Sequence, residues 1–338
     1  MKLVESDGRA QNGVSVILPV LNEELYLAHA VEAILSQDYL GKLEVILAVG
    51  PSTDRTQSVA DELRNKDSRV VVVENPSGKT AAGLNLAIKV SKYPVIVRVD
   101  GHAEIPHDYI SLAVQILEET GAVNVGGVMA ANGRTNFERA VALAMRSSLG
   151  VGASRFHIGG FAGPVDTVYL GVFKRVALLA VGGFDERFTR AQDWELNYRL
   201  RAAGGVVYFD PRLHVTYRPR PNVRALAKQY FEYGRWRHVV IRRHQGTANL
   251  RYLAPPFAFL GTAFSILFGF LLSPLWLIPA SVYLFFLCLA SLLIGQSIAD
   301  YLRLPWILFT MHMSWGAGYL LSPRSLVPSE SCPLEPLR

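Results

Sequence analysis

Short apolar runs and amphipathic segments alternate along the first hundred residues. The apolar runs are rich in β-branched residues and too short for helices, so they predict buried strands, at 14–20, 43–49, 70–73 and 95–99. The amphipathic segments predict helices, at about 25–36, from the polar turn 50–54 to about Lys66, and at about 79–90. Strands and helices that alternate in this way predict an α/β fold with a largely parallel sheet covered on both faces.

The pattern from residue 100 to 215 is less regular. It predicts strands at 123–129 and 167–172, and helices at 108–119, 136–148, about 174–182 and 192–200. A glycine-rich segment lies between them at 150–164. We place the whole globular domain at 1–215.

The last third of the chain is apolar. Residues 252–299 carry no charge, and a second uncharged run covers 304–322. Because a helix needs roughly 20 apolar residues to cross a bilayer, the region 253–322 predicts three membrane spans, at about 255–272, 275–295 and 304–322. A short tail follows at 323–338.

Positive charge is concentrated before the first predicted span. Ten Lys and Arg residues lie between Arg212 and Arg251, with Glu232 as the single acid. Aromatic residues are interleaved with them, which predicts a basic, aromatic helix at the membrane surface within 216–252. The positive-inside tendency places this flank and the N-terminal domain in the cytoplasm, and the polar residues 1–13 predict no cleaved signal peptide.

Charge and motif content also disfavour several classes of protein. With a predicted span directly behind the basic run, anionic lipid headgroups and phosphorylated substrates are favoured as partners over nucleic acid. No Gly-x-Gly-x-x-Gly follows the first strand and no Walker lysine motif occurs, which disfavours dinucleotide dehydrogenases and P-loop enzymes. The two cysteines, Cys288 and Cys332, predict neither a disulfide framework nor a metal cluster.

Candidate chemistry follows the strand at 95–99. Asp100 and His102 flank Gly101 at the carboxyl end of this strand, where ligands bind in open α/β sheets. One carboxylate and one imidazole suit a divalent cation with open positions, although Asp100 could instead cap the next segment beside a solvated His102. Asp193, at the start of a half-buried helix, is either an acid in a cleft or a simple N-cap.

Six short motifs occur in an order that resembles family 2 inverting glycosyltransferases of the GT-A fold. They are VILPVLNEE at 16–24, STD at 52–54, GK to LN at 78–85, RVDGH at 98–102, GFDE at 183–186 and QDWEL at 192–196. Further likeness at 165–171 and 229–237, together with the C-terminal spans, makes the chain similar to the succinoglycan-biosynthesis type of membrane glycosyltransferase.

The resemblance implies a nucleotide-diphospho-sugar transferase fold and a role for each matching residue. Asp100 and His102 replace the family's Asp-x-Asp pair, which holds Mg²⁺ or Mn²⁺ on the donor diphosphate, and the neutral imidazole favours Mn²⁺. Asp193 matches the catalytic base. The nucleotide-sugar pocket is implied to contain Pro19, Glu23, Asp54, Lys79 and Asp100.

The sequence departs from the family pattern after the second strand, where only Asp54 of the usual acids is present. A UDP-sugar is the favoured donor, with GDP- and dTDP-sugars open, and Lys79 either reaches phosphate or is an exposed first-turn lysine. Weaker candidates for the acceptor side or the membrane interface are Asp185, Gln192, Arg235 and Trp236. Gln229 lies too far from Arg235 for the Gln-x-x-Arg-Trp motif of processive synthases, which favours single sugar addition.

These implications define one favoured function and two alternatives. The favoured one is a multi-pass enzyme of the bacterial cytoplasmic membrane that moves one sugar to a polyprenyl-diphosphate-linked saccharide in exopolysaccharide or cell-envelope glycan synthesis. Other envelope-polysaccharide assembly proteins are possible partners. The alternatives are transfer to a bare polyprenyl phosphate, as in dolichyl-phosphate-sugar synthases, and a degenerate transferase that binds a nucleotide sugar or an assembly partner without catalysis.

Overall fold

The computed structural model describes residues 13–244 and 246–326, and the chain divides into two compact units. The first unit contains residues 13–129 and Gly159–Thr216, and the second contains Ala130–Ile158 and 217–326. The segment Ala130–Ile158, which we placed in the globular domain at 1–215, thus groups with the C-terminal helices. Cys332 and most of the predicted tail lie outside the described residues.

Within residues 13–244 and 246–326, eight strands form one sheet in the order β3-β2-β1-β4-β7-β5-β8-β6. The strands are β1 (Gly13–Val20), β2 (Lys42–Val49), β3 (Val70–Glu74), β4 (Val95–Arg98), β5 (Asn124–Ala131), β6 (Gly163–Pro164), β7 (Tyr169–Lys174) and β8 (Val207–Tyr217). The predicted strands are all present. The sequence does not predict β8, because Pro211 interrupts its apolar alternation and proline normally argues against an interior strand.

The first nine helices flank or follow these strands. They are α1 (Leu27–Leu35), α2 (Thr56–Lys66), α3 (Thr80–Val90), α4 (Tyr109–Thr120), α5 (Asn136–Met145), α6 (Ser148–Val151), α7 (Arg155–Ile158), α8 (Arg175–Ala180) and α9 (Gln192–Ala202). The helix predicted at 136–148 ends earlier, and the glycine-rich segment after it contains α7 and β6. The other predicted helices are confirmed to within a few residues, which is the usual uncertainty of helix ends.

The sheet is mixed, so the prediction of a largely parallel sheet holds for only half of it. Strands β3, β2, β1 and β4 are parallel to one another. Strand β7 is antiparallel to both β4 and β5, and β6 is antiparallel to β8. The regular strand and helix alternation from which we predicted parallel strands stops after β4, and Leu170 in β7 adopts a left-handed φ of 43° near a register shift.

The central strands are buried on both faces, as the continuous apolar runs predict. On one face, alternate residues such as Val16, Val45 and Val97 form a core with α1, α2 and α4. On the other face, Ile17 and Ile46 pack with residues of α3, α8 and α9. Because successive side chains of a strand point to opposite faces, this arrangement fixes the register and leaves the carboxyl ends of β1, β2 and β4 at one edge.

The second unit is helical around one long helix. Its remaining helices are α10 (Val223–Arg243), α11 (Ala254–Leu271), α12 (Ile278–Ile294) and α13 (Ile298–Leu320). Helix α13 packs against α5, α10, α11 and α12. The interfacial helix predicted within 216–252 corresponds to α10, which is continuous over 21 residues.

Two stretches of the second unit, Leu250–Leu271 and Pro274–Ile294, are long and apolar enough to cross a membrane. Only 11% and 22% of their most apolar windows are buried, and large side chains such as Phe270 and Phe285 are exposed. The third predicted span lies in α13, whose sequence includes Asp300, Arg303 and His312 and does not meet the same test. Three spans are therefore not confirmed.

A polar contact within the apolar helices accounts for His312. Its Nδ1 lies 3.0 Å from the Tyr283 hydroxyl of α12, and its Nε2 lies 2.9 Å from the Leu149 carbonyl oxygen of α6. Since a carbonyl only accepts, Nε2 carries the hydrogen. The imidazole thus ties α13 to the segment Ala130–Ile158 inside the second unit, which is a structural role.

Glycines allow α10 and α13 to approach closely. A Cβ at Gly234 would overlap the Trp315 carbonyl oxygen, and a Cβ at Gly318 would overlap the Phe231 carbonyl oxygen. Gly316 is similarly confined by Pro255 on α11. Small residues commonly allow close approach of this kind between packed helices.

We expect Gly318→Ala to lower the melting temperature of the full chain in detergent, because its methyl group must push α10 from α13. Overpacking of this kind lowers the free energy of unfolding by about 1–3 kcal/mol. Gly261→Ala is the matched control, since a Cβ there meets no heavy atom within 4 Å and alanine is the better helix former. A Gly318→Ala protein that melts at or above the Gly261→Ala temperature would contradict this packing.

Candidate active site

The end of β4 carries the predicted Asp-x-His pair. Asp100 is partly buried, Gly101 is buried and His102 is exposed. A Cβ on Gly101 would lie 3.0 Å from Val20 Cγ1 and 3.2 Å from Glu23 Cγ. A larger residue at this position would crowd both side chains, so glycine favours close packing of this turn against β1 and the loop that follows it.

Glu23 lies beside His102. Its Oε1 is 2.8 Å from His102 Nδ1, and its backbone N–H donates to the Thr56 hydroxyl over 2.7 Å. The family resemblance implies that Glu23 lies in the nucleotide-sugar pocket, and it implies no contact between Glu23 and His102. The structure places its carboxylate where it orients the imidazole.

Arg98 joins Asp100 to Asp193. The last residue of β4, it is only 4% exposed, and its Nη2 donates to Asp100 Oδ1 over 3.1 Å. Its Nη1 donates to Asp193 Oδ1. Burial opposes the charge of Arg98, but the carboxylates of Asp193 and Asp100 outweigh it and raise the pKa of the guanidinium. Two acids that are 93 residues apart in the chain thus share one cation.

Asp193 occupies the first turn of α9. The preceding N-cap residue, Ala191, adopts a left-handed φ of 58° and makes no side-chain capping bond. Burial raises the pKa of the Asp193 carboxyl, the charge of Asp100 raises it further, and Arg98 opposes both. About 30% of the side chain nevertheless remains accessible, so that a substrate can reach a carboxylate more basic than an ordinary aspartate.

The GFDE motif holds α9 and α3 together. The Asn85 side chain donates to the Phe184 carbonyl oxygen and accepts from the Phe184 N–H, each over 2.8 Å. It also donates to Glu186 over 2.9 Å. On α9, Arg199 donates to the carbonyl oxygens of Val181 and Gly183 over 2.6 and 2.8 Å. These bonds set the position of the segment that leads to Asp193.

Asp185 and Gln192 are placed inside the first unit. Asp185 is 2% exposed, and both of its carboxylate oxygens accept from the Arg187 guanidinium over 2.6–3.1 Å. Burial would raise its pKa, but the bonds from Arg187 lower it. Gln192, the first residue of α9, is 8% exposed. Neither is bonded to Asp100 or Asp193 in the contacts described, and their acceptor role stays a prediction.

Asp54 braces two loops at the edge of the sheet. Its carboxylate accepts from the Thr56 N–H over 3.0 Å, from the Thr56 hydroxyl over 2.5 Å and from the Glu24 N–H over 3.2 Å. The Thr56 hydroxyl bond is the main cause that lowers the Asp54 pKa. Nearby, Asn22 adopts a φ of 57° and accepts from the Thr53 N–H over 2.8 Å. These bonds rigidify the loops, and a direct contact of Asp54 with nucleotide stays a prediction.

Pro19 and Lys79 lie on neighbouring elements. Pro19 is partly buried in β1 opposite Ala48 of β2. Lys79 is the exposed N-cap residue of α3, and its N–H donates to the Ser77 hydroxyl over 3.1 Å. In the part of the chain that the structure describes, its ammonium group makes no ion pair.

Arg235 and Trp236 belong to the second unit. Trp236 is 3% exposed. Arg235 pairs with Glu232 over 2.7 Å and lies 5.7 Å from the centroid of the Phe231 ring. Both side chains therefore have packing partners on or near α10, and their role toward an acceptor is untested.

The structure brings Asp100, His102, Glu23 and Asp193 to one end of the sheet, and it adds Arg98, to which the sequence interpretation gave no role. The signal was present in the sequence, because a lone arginine inside the apolar run 95–99 must be neutralised if the strand is buried. Over residues 13–244 and 246–326, no three His, Cys, Asp or Glu side chains gather as a metal site.

Comparison with known proteins identifies the family. The family model described as glycosyl transferase family 2 matches residues 15–181. Over 329 residues the chain is 31% identical to the succinoglycan biosynthesis protein ExoA of Rhizobium meliloti (strain 1021), covering 94% of this chain and 96% of the relative. It is 27% identical over 327 residues to the dolichyl N-acetyl-alpha-D-glucosaminyl phosphate 3-beta-D-2,3-diacetamido-2,3-dideoxy-beta-D-glucuronosyltransferase of Methanococcus voltae, covering 91% and 96%.

Solved structures share the fold. The mannosyltransferase PcManGT from Pyrobaculum calidifontis, in complex with GDP-Man and Mn²⁺, superposes with a TM-score of 0.59 at 21% identity, covering 91% of this chain and 86% of that one. S. aureus TarS 1–349 in complex with UDP gives a TM-score of 0.51 at 17% identity, covering 91% and 90%. At these identities the likeness establishes the mixed α/β fold alone. The ExoA relative, together with the matching family model, shows that the chain belongs to glycosyltransferase family 2.

Proposed function

We propose that this chain is a membrane-anchored, inverting glycosyltransferase that moves one sugar from a nucleotide-sugar donor to a lipid-linked saccharide. The observation that carries the proposal is the shared contact of Asp100 and Asp193 with Arg98. Because both acids contact the same side chain, they support a single centre, with Asp100 on the donor side and Asp193 on the acceptor side. Sugar transfer requires both sides at one place.

Asp193 is the proposed general base. A sugar hydroxyl is a weak nucleophile, and a carboxylate within hydrogen-bond reach can take its proton as the new glycosidic bond forms and the bond to the diphosphate breaks. Its raised pKa strengthens it as a base, while Arg98 opposes that rise. A single displacement inverts the anomeric centre, so an α-linked donor gives a β-linked product.

Asp100 and His102 are the proposed holders of a divalent cation. A carboxylate and an imidazole on one turn fit a borderline ion such as Mn²⁺, with diphosphate oxygens completing the ligand set. When bound, the ion neutralises charge on the leaving diphosphate. Because Nδ1 of His102 faces Glu23, His102 would ligate through Nε2, with Glu23 fixing the ring orientation.

A UDP-sugar is the proposed donor, with a GDP-sugar as the second choice. TarS is described in complex with UDP and PcManGT with GDP-Man, so both bases occur on this fold. The exposed ammonium of Lys79 at the start of α3 supports phosphate contact. The loops that Asp54 and Asn22 rigidify provide backbone groups that could contact the nucleobase. They would replace the acidic side chains with which the family usually contacts it.

The proposed acceptor is a saccharide on a polyprenyl diphosphate at the cytoplasmic face of the bacterial membrane. The name of the Methanococcus relative states a dolichyl N-acetylglucosaminyl phosphate acceptor, which favours a sugar-bearing lipid over a bare polyprenyl phosphate. The exposed apolar surfaces of α11 and α12 support insertion in a membrane. The basic helix α10 lies directly before them in the chain. Its positive charge supports binding to the cytoplasmic leaflet, which carries anionic lipid headgroups.

We expect Asp193→Asn to lower the turnover of the full chain by about 10²–10⁴-fold, because amide nitrogen and oxygen cannot accept the hydroxyl proton. The measurement is nucleoside diphosphate released from UDP-, GDP- and dTDP-sugars by protein purified in detergent. Asp61→Asn, an exposed change on α2, is the control and should leave turnover unchanged. An Asp193→Asn protein with undiminished turnover would refute the assignment of Asp193 as the general base.

The same assay separates the acceptors. Labelled donor is supplied with a polyprenyl-diphosphate saccharide or with a bare polyprenyl phosphate, and products are sized. One added sugar on the first acceptor supports the proposal, and preference for the second favours the dolichyl-phosphate-sugar-synthase-like alternative. Long polymers would contradict single addition, and the absence of transfer and hydrolysis with every donor would favour a degenerate transferase.

We expect Mn²⁺ to support higher activity than Mg²⁺, because imidazole binds the softer ion better. His102→Asp restores two carboxylates and should shift the preference toward Mg²⁺. The readouts are activity in metal titrations and Mn²⁺ affinity measured by calorimetry. His214→Asp, an exposed change on β8, is the control. Clear Mg²⁺ preference in the unchanged protein, or no shift in His102→Asp, would overturn this assignment.

A further inference from the structure

Arg98 is a buried cation whose two bonding partners are the acids of the proposed centre. It is 4% exposed, and its guanidinium lies 5.9 Å from the centroid of the Phe184 ring. A buried charge is costly unless opposite charges and hydrogen bonds compensate it. The surroundings of Arg98 therefore indicate why a strand in the apolar core keeps an arginine.

We propose that Arg98 is a positioning residue that fixes the distance between the donor-side carboxylate of Asp100 and the acceptor-side carboxylate of Asp193. This inference rests on the proposed function, since it takes the role of Asp193 as base from it. Nη2 of Arg98 donates to Asp100 and Nη1 donates to Asp193. Within the described residues its Nε has no hydrogen-bond partner, so these carboxylates receive its hydrogen bonds.

The chemistry of the side chain explains why arginine is required. A guanidinium is planar, and its two terminal nitrogens are held at a fixed separation, so it sets two carboxylates in a defined relation. A lysine ammonium carries the same charge on a flexible stem as a single point. Lysine at position 98 would therefore neutralise the site but not hold Asp100 and Asp193 in register.

The bond from Arg98 reaches the first turn of α9, which has no side-chain cap. Its N-cap residue, Ala191, makes no side-chain capping bond and has a left-handed φ, which costs about 1 kcal/mol for a residue with a Cβ. The bond from Arg98 is the side-chain contact described for the carboxylate of Asp193. Catalytic groups that shift by about 1 Å lose roughly 10²-fold in rate, because the hydroxyl must approach the sugar in line with the leaving diphosphate.

A purely structural role is the competing explanation, in which Arg98 only neutralises buried acids. The two explanations differ for Arg98→Lys, which keeps the charge. If position matters, we expect kcat to fall about 10²-fold while the donor KM stays within about threefold. If only charge matters, kcat stays close to that of the unchanged protein.

The experiment uses the full chain in detergent with the most active donor of the UDP-, GDP- and dTDP-sugar panel. Arg212→Lys is the control, because Arg212 also neutralises a buried acid, Asp210 on β8, to which its Nε and Nη2 donate over 3.0 and 2.8 Å, but among the described residues it bridges no second carboxylate. It should change neither kcat nor KM. Arg98→Lys turnover within about threefold of the unchanged protein, or loss of its cooperative melt, would overturn the proposal.

A double variant tests whether Arg98 acts through Asp193. If it does, Arg98→Lys combined with Asp193→Asn loses no more turnover than Asp193→Asn alone, because the two changes remove one function. Losses that multiply would show that Arg98 contributes independently of Asp193 and therefore not by setting the relation of the two acids, and this would overturn the inference. Undiminished turnover of Asp193→Asn alone would instead contradict the role of Asp193 as base. That result concerns the proposed function and can be distinguished from failure of the inference about Arg98.

Discussion

The burial of one positive charge at the end of β4 is the constraint on which the site depends. Arg98 is paired with Ile17, lies near Phe184 on the face of the sheet that packs against α3, α8 and α9, and is 4% exposed, so the fold must supply negative charge beside it. Asp100 follows two residues later on the same turn, and Asp193 comes from the first turn of α9. The need to compensate the charge thus brings the two halves of the first unit to the same point.

Several residues in and beside the sequence motifs support this arrangement. Asn85 bonds the backbone of Phe184 on both sides, and Arg199 holds the turn before it. Asp54 closes the loop after β2 against the loop after β1. Their hydrogen bonds are directed at backbone groups that would otherwise be unsatisfied, which rigidifies the shell around Asp100 and Asp193.

Local patterns in the sequence predict the first half of the fold well, because β1 to β4 and their helices follow one strand and helix period. They fail where pairing between distant segments determines the structure. The direction of β7, which is antiparallel, is not predicted, and β8 is not predicted at all because Pro211 interrupts its pattern. The site shows the same division. Motif order indicates Asp100 and Asp193, but the bond between Arg98 and Asp193 joins residues that are 95 apart in the chain, and no local pattern predicts that pairing.

The most direct test is a structure of the full chain with its nucleotide-sugar donor and Mn²⁺ bound. We predict that Arg98 stays within hydrogen-bond distance, about 3 Å, of both Asp100 and Asp193, with the donor sugar between the two acids. A bound structure in which Asp193 points away from the sugar, with Arg98 in contact with neither acid, would contradict it.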